Sequence, residues 1–246
     1  MYFRSVINPT CYNQMHHRLI NKYISQLKRL TILASFVVVL FNMELQNKNL
    51  PSTQYPSLRR LIIGVTGASG AILGIRLLEA LKSSSVDSHL VLSESSRITI
   101  LQETGWNPED VLALAAVSYD YHDIGAAIAS GSFSTIGMVI IPCSIKTLSA
   151  VANSYTDDLI SRAADVTLKE GRPLILVVRE TPYHPGHLRL MTEASAAGAI
   201  IFPPIPAFYI RPRSVEELID NTVGRILARL GVENDLYQEW SGKNDR

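Results

Sequence analysis

The stretch that most limits what this chain can become is LIIGVTGASGAILG, residues 61–74. A short apolar run rich in β-branched residues reads as a buried strand. It breaks at Gly67-Ala68-Ser69-Gly70 and resumes as a helix with apolar residues at Ile72, Ile75, Leu77, Leu78 and Leu81. Strand, glycine turn and helix in succession is how an α/β sheet builds an anion site. Glycine lets backbone approach a ligand, and the helix N-terminus offers free N–H groups and the positive end of its dipole. The turn admits two readings: a nucleotide or flavin phosphate held at residues 67–70, or a tight connection that holds nothing.

The same alternation continues downstream. Short strands are expected at Ser88–Leu92, Gly137–Ile141, Leu174–Val178 and Ala199–Phe202, a strand or extended segment at Tyr119–Ile124, and loops at Ala129–Phe133 and Pro142–Thr147. Helices are expected from the end of Ser93-Glu94-Ser95-Ser96 to about Glu103, from Asn107-Pro108, over 157–170 and from about Gly186. The last helix opens on Ser214-Val215-Glu216-Glu217, a capping box. Its apolar stripe is Val215, Leu218, Ile219, Val223, Ile226, Leu227 and Leu230, closed by Gly231. Continuously apolar strands alternating with amphipathic helices predict a single doubly wound, Rossmann-like parallel sheet with helices on both faces, over residues 59–240. Ligands then belong at the carboxyl ends of the strands.

The N-terminal segment is different in kind. Residues 1–43 carry Arg4, Arg18, Lys22, Lys28 and Arg29 and no acid, a net of +5, which leaves −4 for the rest of a chain whose total is +1. A basic, acid-free start interspersed with apolar residues is the composition of a mitochondrial transit peptide. The apolar run Leu30–Phe41 has 12 residues, short of the roughly 17–25 a spanning helix needs, so stable membrane insertion is not expected. Residues 1–58 are read as transit peptide and linker and 241–246 as a tail. The mildly acidic body argues against nucleic-acid binding. Two cysteines, Cys11 and Cys143, make no disulfide framework or metal cluster.

Four places follow the strands and so line a crevice: Gly67–Gly70, Ser93, Ser144–Thr147 and Arg179-Glu180. The glycine turn lacks the Lys-Ser/Thr of a P-loop and the full dinucleotide pattern, and Ser93 stands where an acid for a ribose is usual; a mononucleotide such as FMN fits better than NAD. Ser144-Ile145-Lys146-Thr147 offers hydroxyls, N–H groups and an ammonium to a ring carbonyl or a phosphate, or else Ser144 is simply a helix cap. Arg162, Asp165 and Lys169 share one helix face, which by spacing alone is a solvated charged stripe. Arg225 and Arg229 form an unrelieved like-charge i,i+4 pair that either a bound anion near Arg225 or ordinary surface tolerance would explain. Tyr209 lies in the proline-rich loop, either bonding a phosphate or packing on prolines. Arg179-Glu180 pairs an anion binder with an acid or base. His184-x-x-His187 lacks a third metal ligand.

Taken together, these blocks resemble the UbiX-type flavin prenyltransferase family. The matching pieces are Gly67-Ala68-Ser69-Gly70, Ala129–Phe133, Pro142–Ser149, Arg162–Val166, Val178–Pro182, His187–Thr192 and Pro206–Tyr209, in order over about residues 60–240. The tail resembles that of the fungal members known as phenylacrylic acid decarboxylases, implying a mitochondrial location. The resemblance implies a flavodoxin-like fold that binds FMN without a metal, and a homododecamer with sites between subunits. It implies transfer of a dimethylallyl group from dimethylallyl phosphate to N5 and C6 of reduced FMN, the product passing to a UbiD-type decarboxylase of cinnamic-type acids. By matching position it assigns FMN binding to Gly67, Ala68, Ser69, Ser93, Ser144, Ile145, Lys146, Thr147 and Arg179. It assigns the prenyl phosphate to Arg162, Lys169, Tyr209 and Arg225, with Glu180 close by, and proton handling to Ser69, Glu103 and Glu180. Ile124 stands where some members carry a tryptophan near the prenyl group.

The competing readings are a flavin-dependent decarboxylase acting directly on aromatic acids or on peptidyl cysteine, and a non-catalytic flavin-binding subunit. The cysteine decarboxylases carry a Pro-Ala-Ser-Ala-Asn-Thr block that Pro142-Cys143-Ser144-Ile145-Lys146-Thr147 replaces here.

Overall fold

The computed structural model describes residues 59–240 and Gly242. The transit-peptide and linker reading of 1–58, with Leu30–Phe41 and Cys11, lies outside the described residues, as does the tail apart from Gly242.

Six parallel strands make one sheet. They are β1 (Arg59–Val65), β2 (Val86–Leu92), β3 (Val117–Tyr119), β4 (Gly137–Cys143), β5 (Leu174–Val178) and β6 (Ile200–Ile201). The order β3-β2-β1-β4-β5-β6 means that the chain works outward from β1, returns to the centre at β4 and works outward again. The direction of winding therefore reverses between β1 and β4, which is where a doubly wound sheet opens its ligand crevice. The helices are α1 (Ala71–Leu81), α2 (Glu94–Glu103), α3 (Pro108–Leu112), α4 (Ile145–Ala152), α5 (Leu159–Lys169), α6 (Pro185–Ala196) and α7 (Val215–Arg229), with 3₁₀ turns at Ala127–Ala129 and Phe208–Ile210.

The strands are apolar on both sides because both sides are covered. Side chains alternate with period two. Leu61, Ile63, Val65, Val139, Ile141, Ile175 and Val177 pack with α1 and α7 through Ile75, Leu78, Val223 and Ile226. Ile62, Met138, Ile140, Leu174, Leu176 and Val178 pack on the other side with α4, α5 and α6 through Leu148, Ile160, Ala163 and Leu190. Each fully buried Leu or Ile contributes on the order of 1.5–3 kcal/mol, so the two layers together hold the strand ends in fixed register.

Gly74 shows how tightly α1 lies on the sheet. A Cβ there would stand 2.7 Å from the Ile141 carbonyl oxygen and 3.1 Å from a Val65 methyl. Alanine in a helix interior ordinarily gains up to about 1 kcal/mol over glycine. Here the obstruction is backbone, which cannot swing aside, and overpacking of this kind costs roughly 1–3 kcal/mol. Gly74→Ala is expected to lower the melting temperature measured by circular dichroism, against the sign its propensity alone gives.

Several boundaries differ from expectation. The strand expected at Tyr119–Ile124 is only Val117–Tyr119; the chain then turns through Tyr121 and His122, and Ile124 is 58% exposed. An edge strand with one neighbour needs few apolar residues, so this one carries little pattern. The segment 144–147 is no free loop but the cap and first turn of α4, the Ser144 hydroxyl accepting from the Thr147 N–H at 3.3 Å. At α7 the Ser214 hydroxyl accepts from Glu217 N–H (3.3 Å), but the Glu217 carboxylate reaches back to Arg213 N–H (2.7 Å) rather than to Ser214. Val215, placed in the apolar stripe by its spacing, is 66% exposed.

Candidate active site

The crevice is built from the residues that leave β1, β2 and β4. Thr66, directly after β1, ties two strands together. Its hydroxyl donates to the Pro142 carbonyl at 2.7 Å and accepts from Ser144 N–H at 2.9 Å. Ser93, after β2, bonds back to Val65 through its N–H (3.0 Å) and caps α2, its hydroxyl accepting from Ser96 N–H at 3.1 Å. Between these ends lies a cavity of about 260 Å³ lined by Thr66, Gly67, Ser93, Glu94, Ser95, Tyr121, Ser144, Lys146 and Thr147. The N-termini of α2 and α4 both open on it, and Lys146 adds an ammonium. Two helix dipoles, five serine and threonine hydroxyls, the Tyr121 phenol and one cation, with the Glu94 carboxylate on the α2 side, make an environment for an anion carrying hydroxyl neighbours, which is the character of a phosphate on a ribityl chain. The residues present fit FMN on that ground.

The glycine turn does something other than cradle an external phosphate. Gly70 caps α1 in a left-handed conformation, φ 100°, open to glycine and costly for other residues. The N–H groups of Gly70 and Ala71 point at one acceptor, the Glu103 carboxylate, at 2.7 and 3.4 Å. The anion at the start of α1 is therefore internal: the Gly70 and Ala71 N–H groups expected to face a phosphate already have the Glu103 carboxylate as partner. Burial works against ionisation of Glu103. Hydrogen bonds from the Ser69 side chain and the Gly70 and Ala71 N–H groups, with the positive charge of Arg179, outweigh it and hold the carboxyl below its ordinary range. Ser69, Glu103 and Arg179 are thus brought into one cluster. Gly67 is required by closeness: a Cβ there would fall 2.3 Å from the Ser95 Cβ.

Two residues that the sequence reading passed over complete this end of the crevice. Tyr121, in the turn after β3, donates its phenol to Asp158 at 2.7 Å, and the Lys146 ammonium lies 3.4 Å from the same oxygen. Asp158 is buried; its other oxygen caps α5 by accepting from Ser161 N–H at 2.8 Å. The cap was legible in Asp158 three residues before Ser161. The partnership with Tyr121 spans 37 positions and leaves no local trace.

Tyr209 and Arg225 line a second, larger cavity of about 580 Å³ together with Tyr237, Gln238, Glu239 and Trp240. The Tyr209 and Trp240 rings meet edge to face with centroids 5.9 Å apart. The Arg225 guanidinium lies 5.7 Å from the Phe202 ring centroid. Gly224 lets the C-terminal segment cross α7 here: a Cβ would meet Asn234 Oδ1 at 2.8 Å and Leu236 Cβ at 2.9 Å. A guanidinium and a phenol among aromatic walls can take a phosphate bearing an apolar group. Ile124 does not line this cavity.

Not every expected residue converges. Arg179 and Glu180 leave β5 at the crevice end, with Arg179 N–H bonded to the Cys143 carbonyl (3.1 Å) and Glu180 accepting from Thr181 N–H (2.9 Å). Arg162 and Lys169 are on α5, across the sheet from Arg225 on α7. Arg162 pairs with Asp165 at 3.6 Å and Lys169 with Glu170 at 2.7 Å, beside Gly131. Within one chain they do not meet the Tyr209–Arg225 cavity. Cys143 is buried, and burial pushes its thiol well above the ordinary range, which leaves it a packing residue. The two rings of His184 and His187 stand 3.7 Å apart, with His184 Nδ1 accepting from Gly186 N–H as the cap of α6.

With this geometry in place, comparison with known proteins is direct. Residues 49–226 match the family model described as Flavoprotein. The chain is 54% identical over 188 residues to flavin prenyltransferase UbiX of Escherichia coli (strain K12), covering 75% of this chain and 100% of that protein. It is 49% identical over 191 residues to the mitochondrial flavin prenyltransferase PAD1 of Saccharomyces cerevisiae, covering 78% and 79%. Among solved structures it is similar to AnUbiX (PadA1) in complex with FMN and dimethylallyl pyrophosphate, at 48% identity and a TM-score of 0.75, covering 76% of this chain and 100% of that one. It is similar also to the dodecameric FMN-dependent UbiX-like decarboxylase of Escherichia coli O157:H7, at 46% identity and a TM-score of 0.73, covering 74% and 100%.

Proposed function

Since the chain belongs to the UbiX-type flavin prenyltransferase family, we propose that it joins a dimethylallyl group from dimethylallyl phosphate to N5 and C6 of reduced FMN, releasing phosphate. The observation that carries this reading is the pair of cavities. One is polar, with two helix starts and Lys146 at the strand ends; the other sets Arg225 and Tyr209 among aromatic rings. Reduced FMN supplies the nucleophilic nitrogen and carbon when bound.

Ser93, Ser144, Lys146 and Thr147 would hold the flavin by hydroxyl, ammonium and N–H groups, with Gly67, Ala68, Ser69 and Ile145 completing the backbone wall and Arg179 the cationic side. Arg225 and Tyr209 would take the donor phosphate and steady the charge that grows on the departing oxygen. Aromatic walls keep water from the allylic carbon. The Ser69–Glu103 pair and Glu180 would hold or move protons at the reacting end. Arg162 and Lys169 would reach the donor phosphate from a neighbouring copy, a reading supported by their place across the sheet and by the dodecamer of the solved relative.

The product would pass to a UbiD-type decarboxylase of cinnamic-type acids. A mitochondrial location is supported by the basic, acid-free tail and by the mitochondrial yeast relative. The test separates this reading from direct decarboxylation. Protein given cinnamate alone should release no carbon dioxide. Release should begin only when protein-free filtrate from a reaction with reduced FMN and either dimethylallyl phosphate or its pyrophosphate is added to a UbiD-type apoenzyme. Carbon dioxide from cinnamate without that partner would overturn it.

A further inference from the structure

Tyr121 is an aromatic residue of the crevice whose hydroxyl is fully committed. It donates to Asp158 Oδ2 at 2.7 Å and takes the Lys146 ammonium at 3.4 Å. Asp158 cannot yield, because it is buried and its second oxygen caps α5. Lys146 itself is exposed, on the first turn of α4. An exposed lysine has a flexible stem and loses much side-chain entropy when a ligand orders it. A phenol fixed from behind removes part of that cost in advance.

We propose that Tyr121 is a positioning residue for the anionic end of the flavin: anchored on Asp158, its hydroxyl holds the Lys146 ammonium at the mouth of the 260 Å³ cavity, where it meets a phosphate. The inference rests on the reading above that FMN binds in this cavity. The direction of the chain of bonds is consistent with the chemistry. Lysine donates to the phenol oxygen and the phenol donates to the carboxylate, and burial with the Asp158 hydrogen bond pushes the phenol far above neutral pH, so it keeps the proton it donates. The ammonium has three donors, so two remain for a phosphate while one rests on the phenol.

The test compares FMN with riboflavin, which lacks the phosphate, by quenching of flavin fluorescence on the full chain. Wild type, Tyr121→Phe and Lys146→Ala are measured. Losing one hydrogen bond at the end of a charged chain should raise the Kd for FMN about 3- to 10-fold in Tyr121→Phe and leave that for riboflavin unchanged. Lys146→Ala should lower the preference for FMN further. If Lys146→Ala reduces the preference and Tyr121→Phe does not, the proposal is overturned while the site reading stands. If Lys146→Ala also leaves the preference intact, the phosphate is not held there, and the site reading fails with the proposal. Equal weakening of both flavins in Tyr121→Phe would make it a packing residue and overturn the proposal too. Should Tyr121→Phe fail to fold, Asp158→Asn is read the same way, with the same outcomes.

Discussion

Replacing Arg225 by alanine is expected to raise the Kd for dimethylallyl phosphate by about 10- to 100-fold and to leave FMN binding within a factor of two. A hydrogen bond to a charged group contributes on the order of 1.5–3 kcal/mol, and about 1.4 kcal/mol corresponds to a factor of ten. The separation of the two effects follows from geometry. Arg225 projects from α7 into the cavity with Tyr209 and Trp240, whereas the flavin-side cavity is lined from β1, β2, β4 and the turn after β3. Turnover should fall further than donor binding, because the guanidinium meets more charge on the departing phosphate than on the bound donor. Isothermal titration with the non-reacting pair, oxidised FMN and donor, reads binding; single-turnover rates with reduced FMN read the chemistry. Equal loss of both ligands would contradict the assignment of Arg225 to the donor.

The second large effect is expected at Glu103. In Glu103→Gln the side chain keeps an acceptor oxygen for Gly70 N–H but loses its charge, so the start of α1 loses its internal anion and Ser69 its charged partner. If the Ser69–Glu103 pair moves a proton during ring closure, the rate should drop roughly 10²- to 10⁴-fold, with FMN affinity little changed. The pH profile provides the sign. The carboxyl is held below its ordinary range, so its ionised form persists through mildly acidic solution, and its contribution is lost only as pH falls through that depressed value. The wild-type rate should therefore hold below the usual glutamate range before declining, and the glutamine variant should lack that acid limb. An acid limb of unchanged shape in the variant would assign the proton to another group, with Glu180 the next to test.

Much of this was legible locally, and the exceptions share a cause. The strand–glycine–helix unit at 61–74 and the all-apolar β4 and β5 are short-range patterns that stand as read, and α7 starts at the Ser214 cap as expected although Glu217 closes on Arg213 rather than completing the box. β3 is shorter and starts earlier than its pattern suggests because an edge strand needs so little apolar pattern; α4 shows in the sequence only through its cap, Ser144, which reads equally well as a loop residue after a strand. The site divides the same way. Ser93 and Ser144 follow strands and can be found by position alone. Glu103 reaches Gly70 across 33 residues, Thr66 reaches Pro142 across 76 and Tyr121 reaches Asp158 across 37. Those pairings exist only after the sheet assembles. Glu103 was found only by family resemblance, and Thr66 and Tyr121 only in the folded chain.

Arg162 and Lys169 are the instructive remainder. Their spacing reads as a solvated face, and within one chain that is how they sit, paired with Asp165 and Glu170. Their assignment to the donor phosphate depends on a second copy, which no periodicity within a single sequence encodes.

The central claim is tested most directly by the mass of the flavin. Purified protein, reduced FMN and dimethylallyl phosphate are incubated without oxygen, and the flavin is released and examined by mass spectrometry. The account predicts FMN carrying one added dimethylallyl unit, formed in step with released phosphate. Recovery of unmodified FMN from folded, flavin-loaded protein would contradict it.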